Sequence, residues 1–560
     1  MTRRTFLRLT AGGLAGLPLL LEACGAAGAP AATSTAGNAA SATKLPSAKL
    51  PTYVPFSGAK PDFPGGANGL VLPGYLTFPK EHPATVQQPF GKGETVTIMT
   101  ETSQAPPSAV GQNTAWQHIN KAMGVNLDIT PIALADYPAK LNTIIAGGAS
   151  QLPDLLSIGT GLGLANLPEL LSTLCQDLTP FLAGDAIKAY PNLASLPTIA
   201  WRNCVFNGKI YCVPSVSGGL AGAVMFAHGA LTKAVGGIQF KDSNDFLRAM
   251  KALTKPGETY GLTLSAGQTS GVPNTAGWFT EVFGAPNDWR ESGGKLTKNW
   301  ETAEFKAAIG FARQLWAAGV IFPASTNQGV VAAAGTFYAG KAGLWQNGFV
   351  IGDIVWNHAN STTPNFDLQA VIPFSPDGGK TKPVHHLGSG AFFLSVLKKA
   401  PEASIKLGLE VLNWLAAPFG TAEYLLKIYG VEGADFTYDA KGNPIATKQG
   451  LREDIGFPLK DLVSPPNVMY DAESEDYARV MYPAEKKLQE MGIQSPVVGL
   501  YSKTNGQRGT VLNQKIGDGM NDIIFGRADL STFDQLVNDW KSGGGDQIRS
   551  EYEQALQASK

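Results

Sequence analysis

The apolar positions between residues 92 and 160 switch repeatedly between two periods. Thr95-Val96-Thr97-Ile98-Met99 is β-branched and predicts a strand. Trp116, Ile119 and Met123 then recur at helical spacing, with Gly124 placed to end the helix. Val125, Leu127 and Ile129 alternate again. Leu141, Ile144 and Ile145 return to the helical period before Gly147-Gly148, and Leu155-Leu156-Ser157-Ile158 is a short apolar run. This β-α-β-α-β order predicts a parallel sheet with right-handed crossovers, whose ligand contacts lie at the carboxyl ends of the strands.

Further along, Cys204 and Cys212 flank VFNGKIY, which predicts a hairpin turning at Asn207-Gly208. A two-residue turn pairs Cys204 with Tyr211, so the two sulfurs face opposite sides. Pro214–Gly222 is rich in Gly and Ser and reads as a hinge or crossover. A second α/β unit follows. Ala223-Val224-Met225-Phe226 opens it, Ser243 can cap a helix carrying Phe246, Leu247, Met250 and Leu253, and Phe305, Ile309, Ala312 and Trp316 share one helical face. Ile405, Leu409 and Leu412 mark another helix behind Pro401; Phe533, Val537 and Trp540, then Ile548, Tyr552 and Leu556, mark the last ones. Two α/β units joined by Gly-rich segments predict two lobes with a cleft.

The first 23 residues stand apart. Arg3, Arg4 and Arg8 precede the apolar run AGGLAGLPLLL, and Leu21-Glu22-Ala23-Cys24 follows. A basic start, a short apolar stretch and a small residue before the cut read as an export signal, with a twin-arginine-like Arg3-Arg4. Leu-x-Ala-Cys is similar to a bacterial lipobox, which makes Cys24 the expected lipidated residue; Glu22 departs from the usual pattern. Residues 24–90 are expected to form a lipid-anchored flexible tether. Within it, residues 51–90 combine many prolines with Tyr53, Phe56, Phe63, Tyr75, Phe78 and Phe90. That mixture fits either a segment pinned to the body by its rings or a disordered spacer.

Composition narrows the function. The 560 residues carry 44 Lys+Arg against 45 Asp+Glu, a net charge of −1, with no basic cluster to neutralise phosphates, so nucleic-acid binding has no support. No run of 18 uncharged apolar residues occurs, which excludes a polytopic membrane protein. Leaving Cys24 aside, Cys175, Cys204 and Cys212 are an odd set. Either Cys175 bridges one of the others or all three are buried thiols.

Catalytic motifs fail one by one. There is no HExxH; Gly159-x-Gly161-x-Gly163 lacks the dinucleotide spacing; Gly378-Gly379-Lys380-Thr381 lacks the first glycine of a phosphate loop; and Leu387-Gly388-Ser389-Gly390 is not a nucleophile elbow. Glu281, Asp288 and Glu291, near Trp278 and Trp289, are the best local set of carboxylates for glycoside chemistry. Ten tryptophans remain, and flat rings stack on the apolar faces of sugars. Trp316, Trp414 and Trp540 fit core positions, as does Trp116 by its spacing. Trp278 follows a loop, and Trp345 ends a short strand.

Several segments resemble the family 1 extracellular solute-binding proteins of ABC importers, particularly the large lipoproteins for oligosaccharides and polysaccharide fragments. They are Asp136-Tyr137 with Lys140-Leu141-Asn142, Gly147-Gly148 and Pro153-Asp154-Leu155; Asn207 to Pro214; Phe337 to Gly343; Tyr429 to Gly433 with Phe436 to Asp439 and Gly442-Asn443-Pro444; and Ile524 to Tyr552. The resemblance implies an α/β, two-lobed periplasmic-binding-protein-like clamp with discontinuous lobes. The expected lobes are 91–217 with about 328–385, and about 218–327 with 386–560. It implies capture of a carbohydrate, delivery to ABC permease subunits, a monomer, and no cofactor, structural metal or catalysis. Expected ligand contacts are Trp278 and Trp345 as platforms, then Gln104, Glu101, Trp201, Trp116, His386 and Ser217. Two departures stand out. Met225 to Leu231 replaces a polar Arg-x-Asp-Trp segment, and Thr254 to Gly261 has too few acids for a calcium loop. The competing classes are an exported carbohydrate-active enzyme using Glu281, Asp288 or Glu291, and a peptide- or lipid-binding lipoprotein on the same fold.

Overall fold

The computed structural model describes residues 48–559 apart from 67–68, 103–105, 161–163, 165, 217–221, 350–365 and 454–455. The first alternating run forms as predicted: β1 (Thr95–Thr102), α1 (Thr114–Met123), β2 (Asn126–Ala133), α2 (Tyr137–Ala146) and β3 (Leu155–Gly159). β1 pairs in parallel with both β2 and β3. α1 starts where Asn113 Oδ1 accepts from the Trp116 backbone N–H (2.8 Å). It ends at Gly124, whose φ of 70° a side chain would strain. After α3 (Leu167–Leu174), β4 (Val205–Phe206) and β5 (Lys209–Ile210) make the hairpin. Asn207 and Gly208 take positive φ at its turn, and the Tyr211 N–H donates to the Cys204 carbonyl. Cys175, Cys204 and Cys212 are buried free thiols, and burial raises the pKa of each.

β6 (Cys212–Ser215) leads to β7 (Ala223–His228), α4 (Ser243–Leu253), β8 (Tyr260–Thr263), β9 (Ala342–Gly348) and β10 (Leu368–Val371). These last strands form a second sheet in the order β10-β7-β9-β8. β7 feeds two cores by alternation. Met225 and Ala227 pack with α4 and Trp278, whereas Val224 and Phe226 pack with Phe337 and Trp345. The chain then returns through β11 (Phe393–Leu397), which is antiparallel to β3 and β6 and completes the first sheet, β2-β1-β3-β11-β6. α5 (Glu402–Leu415) and α6 (Gly456–Lys460) pack there; α7 (Glu475–Glu490), α8 (Lys503–Ile524), α9 (Phe533–Trp540) and α10 (Asp546–Ser559) belong with the second sheet.

The segment exchange therefore differs from the boundaries expected from sequence. Residues 328–385 do not return to the first lobe, because β9 pairs with β7 and β8. Residues 391–463 do, since β11 and α5 supply the first core. An apolar strand run does not say which sheet it will join, and the hydrogen-bond register decides it. The chain thus crosses between the sheets near 215–223, 386–393 and 464–470.

Residues 48–90 also depart from a flexible tether. Thr52 and Val54 donate backbone N–H bonds to the Gly184 and Ala194 carbonyls of the first lobe. Leu72 donates to Glu485 (2.8 Å) and Tyr482 to the Pro64 carbonyl (2.7 Å), both on α7 of the second. The Tyr75 N–H donates to the Met469 carbonyl, and the Met469 N–H to the Pro73 carbonyl, at the third crossing. Further on, Phe78 packs on Phe419 and Tyr470, and Glu423 accepts from Thr85 and Val86 in the first lobe. The rings pin the segment, so the first of the two readings holds over these residues.

Candidate functional site between the sheets

The crossings locate the site. Ser215 at the end of β6 lies opposite Phe393 at the start of β11, which lies opposite Gly159 at the end of β3. In the second sheet, Ala223 at the start of β7 lies opposite Gly348 at the end of β9. The crossings thus leave one sheet and enter the other at the edges where β3 and β9 end, and strand ends are where open α/β sheets take ligands.

The first-lobe edge carries two carboxyls. Glu101 is the penultimate residue of β1 and Asp461 follows α6; they are 7% and 6% exposed. Neither has a hydrogen-bond partner among the described residues. Burial raises the pKa of Glu101; burial and the neighbouring Glu101 push that of Asp461 up to about 7. A hydroxyl chain fixes their neighbourhood. Tyr137 donates to the Ser157 carbonyl, Ser157 to Thr100 (3.3 Å), and Thr100 to the Pro458 carbonyl (3.0 Å). At the same edge Phe392 is 56% exposed, the only aromatic among the strongly exposed hydrophobic side chains of the described residues. Its carbonyl accepts from both the N–H and the hydroxyl of Thr160.

The second-lobe edge is built of amides held by backbone and hydroxyl groups. Gln346 Oε1 accepts from the Trp278 backbone (3.1 Å), and Gln328 Nε2 donates to Thr263 (2.9 Å) and the Leu264 carbonyl (2.8 Å). Asn274 accepts from Thr269 (3.1 Å), and Asn347 Oδ1 accepts from the Gly348 N–H (2.7 Å). Beside the end of β3, a cavity of about 180 Å³ is lined from one lobe by Gly159, Thr160, Leu167 and Asn203, and from the other by Tyr501, Asn505 and Tyr552. Its walls mix polar and apolar groups, as a hydroxyl-rich ligand needs.

A family model described as bacterial extracellular solute-binding protein matches residues 114–431, more than half of the chain. The chain belongs to the bacterial extracellular solute-binding proteins. Among its relatives, the polygalacturonan/rhamnogalacturonan-binding protein YtcQ of Bacillus subtilis is 26% identical over 82% of this chain and 90% of that protein. Lipoprotein LipO of the same organism is 24% identical over 86% and 95%. Among solved structures, an HMO-binding, ABC-transporter-associated solute-binding protein of Bifidobacterium longum infantis superposes with a TM-score of 0.62 at 13% identity, over 83% of this chain and 99% of that one. The N-glycan transport solute-binding protein NgtS of Streptococcus pneumoniae gives 0.58 at 16%, over 83% and 100%. At these identities the structures establish the fold, the two-lobed clamp expected from sequence.

Within this solute-binding fold the expected platforms are redistributed. Trp278 is 1% exposed, and it sits in the short helix Gly277–Val282 against Phe246, Phe279 and Phe374 rather than in a loop. Trp345 is equally buried in β9, among Phe226, Phe337 and Tyr338. Trp201 and Trp116 belong to the first core. None of the four offers a ring face to solvent. Strand alternation explains the second case: the half-buried neighbour Gln346, not Trp345, faces away from that core. His386 is half-buried and its Nε2 lies 2.9 Å from the Ala285 carbonyl. Gln104 and Ser217 lie outside the described residues, and Glu101 stands at the strand end where it was expected. The residues missed were Phe392, Asp461, Gln346 and Asn347. An adjacent pair of phenylalanines at a strand start, of which only one can face the core, was the available signal for Phe392.

The acidic set weighed for catalysis is dispersed among separate partners. Glu281 is buried 2.9 Å from His385 Nδ1, Asp288 pairs with Lys298, and Glu291 accepts from the Gly294 N–H (2.8 Å).

Proposed function

We propose that this chain is the lipid-anchored ligand receptor of an ABC importer for oligosaccharides. On this reading it takes its ligand between the lobes and hands it unchanged to permease subunits. The observation that carries it is the polar edge where the sheets meet: two buried carboxyls unpaired among the described residues, an exposed Phe392 and a row of ordered amides. Such groups recognise hydroxyls and a flat sugar face. The relatives named for polysaccharide, HMO and N-glycan binding support a carbohydrate ligand. Three chain crossings fit hinged closure, with ligand shifting the population to a closed form that the permease reads. The likeness to a protein named as a lipoprotein supports lipid anchoring, which this reading places at Cys24.

The test is a thermal-shift and calorimetric screen of the chain carrying Cys24→Ser, which blocks lipidation, against mono-, di- and oligosaccharides, peptides and lipids. A native-state ligand at a hundredfold excess over Kd adds about 2.7 kcal/mol of stability. A shift with oligosaccharides and no product on chromatography is expected. A shift only with peptides or lipids, or release of a cleaved sugar, refutes the reading.

A further inference from the structure

We infer that the ligand is a neutral, hydroxyl-rich oligosaccharide and that Glu101 and Asp461 select against uronate-containing chains. This deepens the oligosaccharide reading and rests on it.

Three observations converge. The first is the pair itself. Glu101 and Asp461 come from segments far apart in sequence, lie at one sheet edge, are more than nine-tenths buried and make no hydrogen bond among the described residues. A buried carboxyl without a partner is costly to keep, and hydroxyl donors of a ligand would satisfy its oxygens. Above about pH 7, where Asp461 ionises, an incoming carboxylate meets like charge instead.

The second is what the surrounding loops lack. A polyuronate needs cations, best as guanidinium forks on each carboxylate. Lys and Arg total 44 in the chain, yet none occurs in residues 101–120 after β1, 159–187 after β3, 210–232 across the first crossing, 256–289 after β8, 342–379 from β9 onward, or 383–397 across the second crossing. These stretches of sequence are therefore free of cations. The exceptions lie outside these segments. Lys460 ends α6 beside Asp461 and lowers its pKa, and it already has a partner; Lys503 and Arg508, on the first turns of α8, are exposed.

The third is the opposite wall. Gln346, Asn347, Gln328 and Asn274 are neutral amides, each oriented by a bond to a backbone or hydroxyl group. Amides both donate and accept, which suits hydroxyls and acetamido groups without demanding charge. The YtcQ likeness does not oppose this, because 26% identity leaves specificity loops free to diverge.

The experiment titrates two panels by calorimetry into the Cys24→Ser chain at about pH 8, where Asp461 is ionised. One panel holds neutral di- to hexasaccharides with gluco, galacto, xylo, fructo and N-acetyl residues; the other holds oligogalacturonides of matched length. Expected is measurable binding in the neutral panel and at least about a hundredfold weaker binding of every oligogalacturonide. The Glu101→Gln/Asp461→Asn variant narrows that ratio by about tenfold, because its edge no longer repels a carboxylate. Oligogalacturonides binding as tightly as the best neutral sugar overturn the selection while leaving the oligosaccharide reading standing. Silence in both panels with a peptide or lipid bound overturns both. The wild-type ratio decides the matter even if the double variant fails to fold.

Discussion

The two edges of the cleft are built from opposite materials. The first-lobe edge leaves Glu101 and Asp461 unpaired and Phe392 exposed, while the second-lobe edge ties each amide to a backbone or hydroxyl group before any ligand arrives. One edge holds unmet bonding capacity; the other is preorganised. Unmet capacity is costly in the free protein and is recovered on binding, whereas preorganised amides lose little entropy when they engage. On the proposed reading, the first edge supplies affinity and charge selection, and the second fixes geometry.

The sharpest way to break this contrast is to exchange a core ring for an edge ring. Trp345→Ala is expected to lower unfolding free energy by about 3–5 kcal/mol in urea denaturation, because it empties a packed site among Phe226 and Phe337. An unchanged midpoint together with lost ligand binding would return Trp345 to the cleft. Next in size is the charge on the first edge. Burial holds the Asp461 carboxyl at about 7, above the ordinary aspartate value of 3.8. The folded state therefore favours the protonated form, and stability falls as pH rises between about 4 and 7. Asp461→Asn should raise stability at pH 8 by up to about 3 kcal/mol, with little effect at pH 4. Denaturation of both proteins at the two pH values checks this, and parallel pH profiles would place Asp461 in contact with a cation.

Phe392→Ala is the converse of the tryptophan change. It should weaken oligosaccharide binding by about tenfold and alter stability by less than about 1 kcal/mol, read by calorimetry and thermal melting. The smallest effect is expected from Gln346→Ala, which removes one acceptor from the Trp278 N–H and costs about 1 kcal/mol of stability. A much larger stability loss would mean that the second edge is part of a core rather than a wall.

Legibility in the sequence followed the range of the interactions. The helix α1 was readable because its apolar stripe and Gly124 lie within a dozen residues. The Asn207-Gly208 hairpin was readable for the same reason: positive φ at both turn positions is a local demand. The platforms were misread because ring exposure is a non-local property. Trp278 and Trp345 are of the type and setting that sugars use, yet the second sheet folds over both.

By itself, then, the sequence determined the β-α-β-α-β opening, the hairpin, the family and the absence of cations along the strand-end loops, since each rests on adjacent residues or on composition. Only the tertiary structure decided which sheet β9 and β11 join, that residues 48–90 run across both lobes, and that Asp461 comes to stand by Glu101. Thr100 reaches the Pro458 carbonyl across 358 residues of chain. Contacts over such a span are selected by packing and register between whole elements, and no window of local pattern carries that information.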